Sequence, residues 1–390
     1  MLARSMALVL ARVLSAVVAA VACGAALYAV PLWLGTPRAQ VPGEVGGGAW
    51  GERVALWQAC GAGGRLWWVE ADAGEAAEGP GVDLPEPLIG LARGDGRGQA
   101  AGFGARGVYL LGPRSGEVRR LWEAEHQILD LIWVRPRAGD TPRLVVLTAE
   151  TVGGPQPLGS HVLLLDPRSP ETARRLSPES GYNFWHVGAG DVDGDGRQEL
   201  ALCTFSHTAR DRRYARRFFV YGWDEEEDLY PRWRGSRLCR PYRWAELLDV
   251  DGDGVSELVS VETGLGGGEL LCTYQWNQFG FWGTGRSDEF RGMTPPQVGR
   301  AVATGEPVLV TTVMHRGNAR TVCAFVHRDN AWVLSRRGRR LRADERLLVA
   351  QGTLRRADAP TVALLHSVIP CGSGAAMLRD PLMKPVEGGR

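Results

Sequence analysis

The decapeptide Asp191-Val192-Asp193-Gly194-Asp195-Gly196-Arg197-Gln198-Glu199-Leu200 returns as Asp249-Val250-Asp251-Gly252-Asp253-Gly254-Val255-Ser256-Glu257-Leu258. A motif that recurs within one chain marks an internal repeat, and a period of this length restricts the fold to an array of small supersecondary units. Each copy sets carboxylates at positions 1, 3, 5 and 9, with two glycines that let the backbone fold back around them. Four carboxylates in one short loop repel one another unless a divalent cation compensates them, and no thiolate or imidazole is present to favour zinc. Oxygen donors select a hard cation, for which calcium is the natural occupant. An EF-hand is excluded, because its bidentate acid at position 12 is replaced by Leu202 in one copy and Ser260 in the other. The competing reading is a pair of acidic hairpin turns without metal.

Weaker copies of the unit extend to both sides. Anchored on the apolar residue after the loop, they fall at Val54, Ala100, Leu144, Leu200, Leu258, Val308 and Val362, at spacings of 46, 44, 56, 58, 50 and 54 residues. Such spacings suit four short strands and their turns. One unit has β-rich runs at Trp244 to Leu248, Glu257 to Glu262, Glu269 to Trp276 and Phe279 to Thr284. Another has them at Leu88 to Arg93, Ala100 to Phe103, Gly107 to Leu111 and Glu117 to Trp122, and a third at Val298 to Ala303, Val308 to Val313, Arg320 to His327 and Ala331 to Ser335. The acidic loop thus falls between the first and second strands of a four-stranded unit. No long 3.6-residue apolar period occurs beyond residue 50, and 52 Gly and 23 Pro punctuate the chain too often for helices, so it reads as all-β. The tryptophans, among them Trp57, Trp67, Trp68, Trp185, Trp244 and Trp282, are expected to fill the wedges between neighbouring units.

The two intact loops and their flanks resemble FG-GAP or VCBS repeats, the blade unit of integrin α-like β-propellers. The resemblance implies a β-propeller of seven four-stranded blades over residues 50–390. It also implies calcium ligands: the side chains of Asp191, Asp193, Asp195 and Glu199 with the carbonyl of Arg197, and those of Asp249, Asp251, Asp253 and Glu257 with the carbonyl of Val255. About two structural calcium ions per chain are expected. The other units have lost acids: Arg93 stands where one would be in the second, and the sixth offers only Thr304-Gly305-Glu306. The outer strands of the second unit, Val108 to Leu111 followed by Ser115 to Val118, also resemble quinoprotein-type blades. The seventh unit reads as incomplete, with Thr361 to His366 and Ala375 to Arg379 as its strands, and residues 37–50 are candidates to close the ring.

Val13 to Leu34 carries no charge over 22 residues, enough to span a bilayer core of about 30 Å at about 1.5 Å per residue. Arg4 and Arg12 precede it, which places residues 1–12 in the cytoplasm and the repeats outside. An uncleaved signal anchor over 13–34 with a flexible linker over 35–49 competes with signal cleavage after Ala22 and with a lipoprotein signal at Cys23. All three export the repeats, and the anchor makes the protein single-pass and membrane-tethered.

A net charge of +1 gives no electrostatic case for nucleic acid. The arginine clusters at 210–217 and 336–342 read as solvated loops. Six cysteines lie beyond Cys23, and they permit either disulfides or buried free thiols. The chain contains no G-x-S-x-G elbow, H-E-x-x-H or P-loop. A central-funnel site could still gather His186, His207 and His315. Topology puts the acidic loops on one face and the hairpins between second and third strands on the other. Tyr182, Asn183, Trp185, Tyr242 and Trp244, beside the loop Ser206 to Arg213, are therefore candidates to bind a protein or glycan ligand, with interblade packing as the competing role for Trp185 and Trp244. The expected function is a calcium-binding adhesion or scaffold module. The alternative is a propeller enzyme acting on polysaccharide, or a quinoprotein-like oxidoreductase.

Overall fold

Runs of apolar residues broken by Gly-containing turns build a succession of short antiparallel strands. The computed structural model describes residues 45–385 apart from 51–52, 61, 71–80, 93–99, 113–115, 138, 153–156, 177, 179–181, 209–210, 236–237, 301–306, 316–318, 342–345, 353–361, 371–375 and 380–383, with side chains between 62 and 341. The first sheet comprises β1 (Val45–Trp50), β2 (Arg53–Cys60), β3 (Gly63–Glu70) and β4 (Val82–Leu84); the second comprises β5 (Gly90–Leu91), β6 (Ala100–Phe103), β7 (Gly107–Leu111) and β8 (Val118–Glu123). The third holds β9 (Gln127–Val134), β10 (Arg143–Thr151), β11 (Leu158–Asp166) and β12 (Ser169–Leu176); the fourth holds β13 (Asn183–Gly190), β14 (Glu199–Ser206), β15 (Ala215–Trp223) and β16 (Leu229–Arg234). Next come β17 (Tyr242–Leu248), β18 (Glu257–Thr263), β19 (Glu269–Trp276) and β20 (Phe281–Ser287), then β21 (Gln297–Arg300), β22 (Pro307–Met314), β23 (Arg320–Arg328) and β24 (Ala331–Leu341). These two groups merge where Arg286 and Ser287 of β20 pair in parallel with Ala331 and Trp332 of β24. A three-stranded sheet of β25 (Arg346–Gly352), β26 (Val362–Pro370) and β27 (Ala376–Arg379) follows, and β28 (Lys384–Pro385) pairs back onto β24.

First strands neighbour one another in chain order: β1 lies against β5, β5 against β9, β9 against β13, β13 against β17, β21 against β25, and β25 against β1. Consecutive antiparallel sheets meeting through their first strands make the chain an all-β propeller. All seven anchor residues fall at the start of a second strand, from Val54 on β2 to Val362 on β26. The runs Ala100–Phe103, Gly107–Leu111 and Glu269–Trp276 form strands with the limits read from the sequence.

Two boundaries differ from expectation. β1 begins at Val45 and pairs with β2 from Val45↔Gln58 to Trp50↔Arg53, so the expected linker 35–49 ends before Val45. Residues 45–50 also complete their own sheet and meet β25 by its side, without adding a strand to the last sheet. The expected membrane segment Val13–Leu34 and residues 1–12 lie outside the described residues; among those described, no helix is long and apolar enough to cross a membrane.

Strand alternation distributes the core between neighbouring sheets. On β10, Val145, Leu147 and Ala149 pack with Val187, Leu200 and Phe219 of the fourth sheet, while Leu144 and Val146 pack with Leu110 and Leu121 of the second. On β14, Leu200 and Leu202 face the third sheet, and Ala201 and Cys203 face β17 to β19. Inner strands are buried on both faces, which is why they read as continuous apolar runs. Each buried Leu or Val contributes on the order of 1.5–3 kcal/mol. Trp68, Trp122, Trp133, Trp185, Trp233 and Trp244 line these wedges. Trp282, expected there, is instead 67% exposed on the outer strand β20. Trp57 and Trp67 lie outside the described side chains.

The arginine clusters lie only in part in loops: Arg212 and Arg213 are exposed in the β14–β15 loop, as expected, while the other described members are strand residues. Arg336, Arg337, Arg339 and Arg340 belong to β24, and Arg216 and Arg217 to β15. Arg217 is fully buried: its guanidinium donates to the carbonyls of Ser206, Asp211 and Arg213 and pairs with the Asp211 carboxylate at 3.3 Å. One buried cation thereby holds the β14–β15 loop closed. Cys203, Cys239, Cys272 and Cys323 are free thiols, so the disulfide reading fails for them.

Candidate functional site

Both acidic loops leave the end of a first strand and return into a second, between β13 and β14 and between β17 and β18. Asp191 fixes the first turn by accepting the amides of Gly194 at 2.7 Å and Gly196 at 2.8 Å. Asp249 does the same for Gly252 at 2.6 Å and Gly254 at 3.1 Å. These glycines have φ of 75°, 83°, 84° and 91°, a conformation that admits glycine at no steric cost. Glu199 and Glu257 point back into the loops, accepting the amides of Val192 at 3.0 Å and Val250 at 3.2 Å.

The oxygens of Asp191, Asp193 and Glu199 converge within 4.8 Å of one another, as do those of Asp249, Asp251 and Glu257. Asp195 and Asp253 stand outside these groups. They accept the amides of Arg197 at 2.8 Å and Val255 at 2.7 Å, which tightens the second half of each loop. Three convergent carboxylates fit a hard cation that takes its remaining oxygens from backbone carbonyls and water. Burial pushes the Glu257 carboxyl up to about 7, against the Val250 amide and with Asp251 and Asp253 adding to the rise. Burial likewise raises Glu199 to about 7, while the Val192 amide and Arg232 oppose it.

The loops differ in one respect that their sequences conceal. Arg232, on β16, reaches back to the first, donating to Glu199 and, at 2.5 Å, to Asp193. Burial alone would lower the guanidinium pKa, but these carboxylates more than reverse that and fix its charge. Its other side lies over the Trp276 ring at 5.6 Å. On the next sheet Tyr274 pairs Gly283 as Tyr221 pairs Pro231, so Thr284 occupies the position of Arg232. Among the described residues no Arg or Lys pairs with Asp249, Asp251 or Glu257. Adjacent loops are also bonded together. The Gln198 amide donates to the Arg135 carbonyl at 3.3 Å, and one sheet on, the Ser256 amide donates to the Asp191 carbonyl at 2.5 Å.

At the opposite end, the five ligand-face candidates separate. Tyr242 is buried in the core between Cys203 and Leu270, so it is a packing residue and not a ligand contact. Tyr182 is half-buried, its ring 5.2 Å from that of Phe219, and Asn183 is also half-buried. Trp185 stacks on His186 at 5.7 Å beneath Arg216, and Trp244 packs against the core of the following sheets. The large apolar side chains exposed at this end lie instead near the tips of three successive second-to-third-strand hairpins: Leu158 (47% exposed), Tyr214 (61%) and Leu265 (92%). Sequence reading passed over them because a single apolar residue in a turn breaks no pattern.

The three histidines suggested for a funnel have separate surroundings. His186 Nδ1 lies 2.7 Å from Asp130, and its Nε2 lies 3.7 Å from Glu246, forming a buried ladder across β9, β13 and β17. His207 packs edge-on to Tyr214, and His315 follows β22. No group of metal donors among the described residues contains any two of them.

No protein-family model matches the chain. No curated protein matches it either. Solved structures resemble it in fold. A chain from the crystal structure of a mitotic checkpoint complex is 11% identical, with TM-score 0.51 over 87% of this chain and 94% of that one. BBS1N in complex with ARL6DN, soaked with lead, is 10% identical with TM-score 0.49 over 89% and 94%. The Dos1 propeller is 9% identical with TM-score 0.44 over 84% and 74%.

Proposed function

We propose that this chain is a seven-bladed, calcium-stabilised β-propeller of the FG-GAP/VCBS type, tethered outside the cytoplasm by its N-terminal segment and serving as a binding module. Seven groups of strands, each with an anchor residue on its second strand, support the blade number. The second acidic loop supports calcium best, since Asp249, Asp251 and Glu257 converge with no arginine beside them. With an affinity of about 10⁻⁴ to 10⁻³ M, typical of extracellular modules, millimolar calcium would add on the order of 1 kcal/mol per site.

The observation that carries the binding role is the row of apolar side chains on successive hairpins, Leu158, Tyr214 and Leu265, opposite the acidic loops. Exposed apolar side chains repeated on successive hairpins of one face offer contacts to a partner, here a protein or a glycan. The test is binding of the purified chain to a glycan array and to intact cells, wild type beside a Leu158→Ser/Tyr214→Ser/Leu265→Ser variant. Loss of binding at an unchanged melting temperature supports the reading; equal binding by the triple variant defeats it. The Asp130–His186–Glu246 ladder is the one feature that favours a central-funnel enzyme instead, and His186→Ala in a polysaccharide-cleavage screen addresses that alternative.

A further inference from the structure

We propose that His126, Glu150 and His161 form a zinc site on the third sheet, separate from the acidic loops and at the opposite end of the strands. His126 immediately precedes β9, Glu150 lies near the end of β10 and His161 near the start of β11. The pairings Gln127↔Ala149 and Thr148↔His161 bring the three to the same end.

Their donor atoms all lie within 4.8 Å of one another. His161 Nε2 is 3.3 Å from a Glu150 carboxylate oxygen. Two ligands of a tetrahedral ion, each at about 2.0–2.1 Å, stand about 3.3 Å apart, so this pair is already at coordination spacing. The His126 and His161 rings stack at 5.1 Å with 26° between their planes, which sets both imidazoles beside the carboxylate.

The backbone is shaped for this arrangement. Gly159 has φ +64°, and a Cβ there would lie 2.5 Å from the Glu150 carboxyl carbon. A side chain at 159 would therefore push Glu150 away from the imidazoles. His161 Nδ1 is buried and has no hydrogen-bond partner among the described residues, so Glu150 and the stacked His126 set the orientation of its ring. An ordinary His161–Glu150 ion pair would require neither the second imidazole nor the glycine.

Two imidazoles with one carboxylate select zinc over calcium, in contrast to the all-oxygen loops. Three protein ligands leave a fourth position open, as in accessible zinc sites. Glu150 is the most exposed of the three, so that position faces solvent on the same end as Leu158. Water would fill it, or a carboxylate oxygen from a molecule docked there.

The experiment uses the full chain in detergent, stripped with chelator, returned to millimolar calcium and equilibrated with zinc, then with Co(II) as a spectroscopic substitute. The expected result is one zinc per chain held at micromolar affinity or better, with four-coordinate Co(II) bands and no thiolate charge-transfer band. His161→Asn and Glu150→Gln should remove it, Gly159→Ala should weaken it at least tenfold, and Asp251→Asn should leave it unchanged. Circular dichroism checks folding, and His126→Ala, altering a residue outside any strand, gives the same readout should His161→Asn fail to fold. The proposal is overturned if no zinc is retained, if His161→Asn and Glu150→Gln retain it in full, or if the cobalt spectrum reports cysteine ligands.

Discussion

Arg232 is where the two acidic loops part, and replacing it should turn a weak cation site into a strong one. The guanidinium is 19% exposed, with Asp193 at 26% and Glu199 at 4%, so each ion pair lies between the surface and buried limits. About 1 kcal/mol per pair is a reasonable value for such contacts, or about 2 kcal/mol in all. A calcium ion entering the first loop has to displace both. Arg232→Met keeps the apolar stem over Trp276 and removes the charge, so calcium affinity at this loop should rise roughly 30-fold. A dissociation constant of about 10⁻³ M would become about 3 × 10⁻⁵ M, and stabilisation by about 1 mM calcium would grow from about 0.4 to about 2 kcal/mol. In EGTA the same variant should melt lower than wild type, because Asp193 and Glu199 lose their partner. The assay is calorimetric calcium titration in an Asp251→Asn background, which silences the second loop. Affinity that is unchanged or weaker in Arg232→Met would refute the idea that arginine and calcium compete for the same carboxylates.

Proton competition gives a second expectation. Glu257 rises from the usual carboxylate value to about 7 in the metal-free fold, so that fold holds its proton more tightly than the unfolded chain does. Metal-free stability should therefore fall as pH climbs from about 4.5 to about 7, whereas apparent calcium affinity should increase about tenfold between pH 6 and 8; melting curves with EGTA and with calcium across this range check both signs. Gly190→Ala should cost about 1–3 kcal/mol, because the new Cβ would lie 2.5 Å from Ser256 Oγ and 2.9 Å from Leu247 Cβ, and urea unfolding measures it. Tyr242→Ala should cost about 3–5 kcal/mol, while Leu265→Ala should stay within about 0.5 kcal/mol, a contrast that thermal melting would reveal or contradict.

The sequence was most legible where the repeat was intact. Loop position 9 puts Glu199 and Glu257 at the first residue of a second strand, and the alignment carried on them located every other second strand, even Val362. The inward set on the first strands was not legible, for a physical reason. β9, β13 and β17 each carry a register shift at the same place, around Leu129, Trp185 and Arg243. A bulge exchanges the two faces of a strand, so Tyr242 shares its side with Ala245 and Leu247 while Trp244 turns to the other, a difference that the aromatic and polar character of the segment does not reveal. Arg232 and Arg217 were missed because their partners are set by pairing across a sheet, and arginine side chains carry no periodic signal of their own. The His126–Glu150–His161 group was invisible for the same reason: its members belong to three segments that meet only after β9, β10 and β11 align.

The outermost strands also answer a difficulty that any such array faces. A fourth strand ends its sheet with unpaired amides and carbonyls, and another chain can add to that row as a template. Here those rows carry charge: Arg119 and Arg120 on β8, Arg174 and Arg175 on β12, and Arg232 and Arg234 on β16, while the margin of β24 is taken by β20 and β28. A second copy approaching edge to edge would bring like charges into register and strip them of water. Among the described residues, β20 and β24 meet at their margins in a parallel contact two residues long that stops before it can propagate. Neutralising Arg119, Arg120 and Arg175 should leave the chain folded and make it prone to grow sideways into sheets.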